Sequence, residues 1–281
     1  MSRLTLLALV LGPATSAIAQ NSYLFTPIDC PGSNDTRAFG VNESNVIVGG
    51  CRTVGLHGFV YNDGVFDTVE PPGSSNSRIR GISGSNLAGF YRRPEFDFFR
   101  GFARIDGEFR DIVHPLAVQD TLALAINSSR QIVGGYVGAD ANEHGFLYDA
   151  GEYYPLDCPG FINTQVNGID DYGRVVGFCD DGVTTVAGIY DGTVLTLFQC
   201  PGAADTAATA INSNGVVVGW YDTPATTHGF ITVDMGQSCT QIDYPDAPNT
   251  QVMGITASGS LVGFYFDDAL SYIRSFLATP K

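Results

Sequence analysis

The chain has 281 residues, a formal net charge of −15 and charged side chains at only 15 % of positions. Its single Lys is the last residue, so the clustered basic surface that nucleic acid requires is excluded, and anionic membranes are poor partners for the same reason. Glycine is abundant (34 residues), which with so few charges suits short strands and tight turns rather than helices or disorder.

In chain order, the first nineteen residues read as a secretory signal peptide: Arg3, an apolar run from Leu4 to Leu11, and the cleavage site Ala17-Ile18-Ala19. The run is too short to span a bilayer, which needs about 20 residues. Residues 20–281 are then one secreted or lumenal domain with no membrane span. A strand over Leu24–Asp29 follows, and after it a unit of about 42 residues is written six times. Pro31, Pro72, Pro115, Pro159, Pro201 and Pro245 mark it, as do Gly49, Gly89, Gly134, Gly177, Gly219 and Gly263. In the fourth copy, Thr164–Asp170, Arg174–Cys179, Ala187–Tyr190 and Val194–Phe198 are strand-like, with hairpin signals at Asp171-Tyr172-Gly173 and Asp191-Gly192. Four short strands per repeat predict an all-β, six-bladed β-propeller. The N-terminal strand is expected to complete the last blade and remove an open edge. A six-turn solenoid is the structural alternative, disfavoured because no capping segments are visible. Gly40, Gly81, Ala125, Gly168, Ala210 and Gly254 place a small residue at one level of the first strand, which therefore belongs nearest the axis.

Cys30 to Cys51 and Cys158 to Cys179 are both 21 residues apart and occupy equivalent places, so two equivalent disulfides are expected. Cys200 and Cys239 sit at different places in the repeat, and their pairing stays open. Asn34, Asn42 and Asn127 begin glycosylation tripeptides.

The units Leu56-His57-Gly58-Phe59, Glu143-His144-Gly145-Phe146 and Thr227-His228-Gly229-Phe230, with the Ala-Ile-Asn and Val-Val-Gly-Trp runs, resemble the extracellular HAF-type repeat. A secreted-type chain of this size with six such repeats also resembles the fungal hetero-Diels–Alderases of tropolonic sesquiterpenoid biosynthesis. That resemblance implies a cofactor-independent pericyclic enzyme of secondary metabolism. It would join a quinone methide, formed from a hydroxymethyl tropolone or phenol, to a humulene-type sesquiterpene. No metal or cofactor motif is present, and the implied partner is a small apolar or aromatic substrate.

The His-Gly-Phe level carries His57, Arg100, His144, Ala187, His228 and Arg274. Its His and Arg are catalytic candidates for proton transfer and anion binding, against the plainer reading that they bond within the blade. Tyr91, Tyr136, Trp220, Tyr221 and Tyr265, at the ends of second strands, and Arg92, in an Arg-rich loop, are candidate substrate-binding residues. His114 breaks the loop pattern of its repeat. The other classes weighed are a secreted carbohydrate-active enzyme of the polysaccharide lyase type, which needs an Arg-lined groove, and a non-catalytic glycan- or protein-binding propeller, which needs repeated shallow sites.

Overall fold

Every repeat begins with an inner strand whose pairing to the next strand slips by one residue. The slips fall at Ala38/Gly40, Ile79/Gly81, Ala123/Ala125, Val166/Gly168, Ala208/Ala210 and Val252/Gly254. Such bulges bend a strand and sharpen its twist. In the computed structural model, which describes residues 22–247 and 249–281, these inner strands surround an axial channel. The expected signal peptide lies outside the described residues. Small residues at the bulges let the strands approach one another: a Cβ on Gly81 would lie 2.7 Å from Ala125 Cα, and one on Gly168 2.9 Å from Ala210 Cα.

The chain is all-β, with no α-helix among the described residues. The expectation of a six-bladed propeller is corrected by the sheet topology. Four blades of four antiparallel strands stand as separate sheets, spanning 76–112, 121–155, 163–198 and 205–241. The other eight strands form one sheet. In it, Thr250–Ile255, Leu261–Asp267 and Tyr272–Pro280 join the strands of residues 35–68 through a single parallel bridge, Asp35 with Ile273. The physical reason is the nine-residue strand Tyr272–Pro280: its start reaches the first inner strand, and Ile273 N–H donates to Asn34 O at 3.1 Å. Tyr23–Ile28 pairs antiparallel along the far side of that same strand.

Polar side chains recur because the backbone needs them. Buried Thr36, Thr121, Thr164, Thr206 and Thr250 each accept a hydrogen bond from a backbone N–H of the preceding loop, at 2.9–3.2 Å. At the opposite end, the Nδ2 groups of Asn42, Asn127 and Asn212 donate to Gly84 O, Asp170 O and Thr256 O in the next repeat. Leaving such buried groups unpaired costs about 1–3 kcal/mol each, so these bonds hold neighbouring repeats in register. They also occupy the glycosylation nitrogens of Asn42 and Asn127; Asn127 is 2 % exposed, whereas Asn34 lies on the surface.

Cys30–Cys51 and Cys158–Cys179 are bonded, and so is the open pair, Cys200–Cys239. Disulfides persist in oxidising compartments, and no helix among the described residues is long and apolar enough to cross a membrane. Closing a 21-residue loop is worth about 3 kcal/mol in the chain-entropy account. Cys158→Ala with Cys179→Ala should therefore lower unfolding free energy by about 3 kcal/mol in urea titrations.

Candidate functional site at the channel mouth

Side chains alternate along a strand, so two levels of each inner strand point into the channel. One level reads Arg37, Arg78, Leu122, Gln165, Ala207 and Gln251; the next reads Phe39, Arg80, Leu124, Asn167, Thr209 and Met253. Phe178, Trp220 and Phe264 close the rim from the second strands. All of these but Leu122, Leu124 and Ala207 enclose a cavity of about 190 Å³, with Arg37, Arg78 and Arg80 on one side and amides and aromatic rings around them. Gly50 makes room for this wall, since its missing Cβ leaves the space filled by the Arg78 stem at 3.0 Å.

The electrostatics are unbalanced. Arg37 is neutralised by Asp35, Nε to Oδ1 at 2.7 Å. Arg78 and Arg80 have no carboxylate partner among the described residues, and Arg78 Nε is a buried donor without an acceptor. Burial first, and then the neighbouring Arg78 and Arg37, push the Arg80 guanidinium down to about 9. Arg78 is lowered by burial and Arg37, with Asp35 opposing. The Arg80 guanidinium lies over the Phe39 ring, 4.2 Å from its centre. Asn167, 7 % exposed, donates to Ala208 O while its Oδ1 is left without a donor. In a chain of net charge −15, two unpaired cations and an orphaned acceptor at one mouth make a site for a ligand carrying an anion and a donor.

In the neighbouring blade, the third repeat has Gly135, as the first has Gly50, where the other four repeats have an aromatic ring. Glu143 fills the vacancy, its carboxylate against that glycine. Gln165 Nε2 donates to Glu143 Oε1 at 2.6 Å. Burial raises this carboxyl above the usual range and Asp120 adds to it, with the Gln165 bond opposing. A carboxyl raised by folding stabilises the fold below its ordinary pKa of 4.5, and that contribution is lost as pH rises through the folded value. Glu143→Gln should therefore flatten the fall in melting temperature of the wild-type chain above about pH 4.5.

The His and Arg expected at the His-Gly-Phe level are not brought together. Each bonds an acid of the strand or loop beside it: His57 with Glu70 (2.9 Å), Arg100 with Asp111 (3.0 Å), His144 with Asp157 (3.1 Å), His228 with Asp243 (2.9 Å) and Arg274 with Asp29. The fourth member is Val186 rather than Ala187, because Val186 pairs with Cys179 as His57 pairs with Cys51. Burial pulls His144 down, but Asp157 and Asp140 outweigh it and raise its pKa.

Of the expected binding residues, Trp220 lines the axial cavity. Tyr91, Tyr136, Tyr221 and Tyr265 point the other way and are 0–8 % exposed. Tyr91 donates to Asp111 (2.7 Å), Tyr136 stacks on His114 (3.7 Å between ring centres), Tyr221 donates to Gln241 (3.2 Å) and Tyr265 stacks on Tyr244 (3.8 Å). Arg92 lies over Phe99. Sequence reasoning missed Arg37, Arg78, Arg80 and Glu143. The available signal was the change of residue type from repeat to repeat at the axis-facing levels.

No protein-family model matches the chain, and no curated protein matches its sequence. Solved β-propellers do match in shape. The PQQ-bound aldose sugar dehydrogenase of Streptomyces coelicolor superposes with a TM-score of 0.54 at 10 % identity, covering 92 % of this chain and 98 % of that one. The Aleuria aurantia lectin, in complex with Fucalpha1-6GlcNAc, gives 0.53 at 8 % identity, covering 94 % and 93 %. A gluconolactonase from Xanthomonas campestris gives 0.50 at 13 % identity, covering 88 % of both chains. At such identities the likeness establishes the β-propeller fold and nothing finer. Those neighbours include one lectin and two enzymes.

Proposed function

We propose that the channel mouth binds a small anionic ligand with an apolar, ring-bearing body, and that the chain is a cofactor-independent hetero-Diels–Alderase. The observation that carries the ligand class is the pair Arg78 and Arg80, desolvated and unmatched by any carboxylate among the described residues. The asymmetry of the site supports one specific substrate rather than a ring of equivalent sites: no residue type runs round all six repeats, and the three Arg come from the first two.

In this reading the two guanidiniums hold the oxygen of a tropolonate or phenolate. The hydroxymethyl group takes a proton and leaves as water, and the ring oxygen's electron pair moves inward to give the quinone methide. The alkene then adds across the C=C–C=O unit, forming one C–C and one C–O bond with no redox change. The proton is taken from solvent at the mouth, and Glu143 fixes the Gln165 amide at the cavity wall by accepting its N–H. Donors aimed at developing charge are commonly worth about 3–4 kcal/mol, and the apolar rim of Phe39, Phe178 and Phe264 limits quenching by water. A second reading is favoured by the amides. Gln165, Asn167 and Gln251 beside Trp220 would also suit an acidic sugar, stacked on the ring and gripped through its carboxylate.

Titration calorimetry with tropolone, glucuronate and methyl fucoside separates these. Tropolone binding tightest, together with turnover of a hydroxymethyl tropolone and humulene, supports the pericyclic enzyme. Tighter glucuronate binding supports the carbohydrate reading. Methyl fucoside bound at several sites per chain would overturn the axial site itself.

A further inference from the structure

Five repeats bury a Phe from the third strand: Phe59, Phe102, Phe146, Phe230 and Phe276, each 0–2 % exposed. Every ring lies over the marker glycine opposite. A Cβ on Gly49, Gly89, Gly134, Gly219 or Gly263 would meet a ring carbon at 2.5–3.1 Å. In the fourth repeat Gly177 pairs instead with Gly188, and the ring is missing.

The space is not refilled. A Cβ on Gly188 would find its nearest neighbours, Leu195, Leu197 and Cys179, at 3.4–3.6 Å, ordinary contact distances. What remains is a partly open cavity of about 130 Å³, lined by Leu156, Val166, Val176, Tyr190 and Leu195. A cavity of such size with a mainly apolar lining accepts benzene-sized molecules. The Asp157 carboxylate at its wall disfavours an anion.

We infer that this cavity is a second binding site, taking an uncharged ring or branched hydrocarbon group about the size of benzene. The site stands independently of the function proposed for the channel mouth. Gln165 and Phe178 line both sites, so its occupant would rest against the wall of the axial cavity.

Benzene titrated into the full chain, followed by methyl NMR of Val166, Val176 and Leu195, is expected to saturate at one site. Gly188→Phe restores the residue found in the other five repeats and should weaken benzene binding at least tenfold while keeping or raising the melting temperature. Failure of the wild-type chain to saturate, or unchanged affinity in Gly188→Phe, would overturn the assignment. A xenon-pressurised crystal of the unaltered chain gives a reading that needs no variant. A peak between Val166, Val176 and Leu195 is expected, and its absence there would overturn the site.

Discussion

Arg78→Met with Arg80→Met is expected to raise the dissociation constant for tropolone at least 100-fold and to stabilise the ligand-free chain. The two effects have one cause. Each guanidinium is held in a partly desolvated channel beside other cations, so the empty site bears an electrostatic cost. A charge-assisted bond from each Arg to a ligand anion is worth about 1.5–3 kcal/mol, which for two bonds exceeds the 2.7 kcal/mol of a 100-fold change. Water in the channel screens the cost, so the expected gain in the unliganded variant is about 1 kcal/mol, read as a rise of about 2–4 °C in melting temperature. A cation whose pKa falls on folding, as Arg80 does to about 9, destabilises the fold while protonated in both states and recovers as pH rises through that value. Wild-type stability relative to Arg80→Met should therefore improve above about pH 9, and tropolone affinity should decline over the same range. A variant that loses stability while binding tropolone normally would make these arginines structural.

The marker glycines are expected to be the least tolerant positions in the chain. Gly134→Ala would place its Cβ inside the carbonyl oxygen of Leu122 and against the Phe146 ring. The bulge in the inner strand turns that carbonyl over the glycine, and both strands are fixed by their neighbours, so relief requires breaking the ladder. A loss beyond about 4 kcal/mol is expected, enough to leave little folded protein. Gly64, by contrast, sits at φ +87° in a hairpin turn with open space around it. Gly64→Ala should cost only about 1–2 kcal/mol, from the left-handed conformation alone. Urea denaturation of the two variants side by side measures the difference.

These glycines explain why the repeat was legible in sequence. A residue demanded by the same carbonyl in every repeat recurs at one period, and so do the Thr and Asn that close the loops and join neighbouring repeats. The 21-residue spacing of two Cys pairs was informative for the same reason. The six-bladed count was wrong, because one backbone bridge between Asp35 and Ile273 depends on how far the last strand extends. The candidate site was hidden by recurrence itself. His57, His144 and His228 stand out because they repeat, yet each repeats together with its acid partner on the neighbouring strand or loop. Arg37 and Arg78 share one level in the first two repeats only and Arg80 stands alone at the next, so no period marks them, and only the alternation of inner-strand residues brings them to one cavity. Trp220 and Tyr221 are adjacent rings at one strand end, and only the alternation of faces sends the first to the axis and the second between strands.

A crystal of the full chain soaked with tropolone tests the account most directly. One molecule per chain is expected at the channel mouth, its oxygens against Arg78 and Arg80 and its ring among Phe39, Phe178 and Trp220. Tropolone absent from the mouth, or spread over several equivalent sites between repeats with Arg78 and Arg80 untouched, would contradict it.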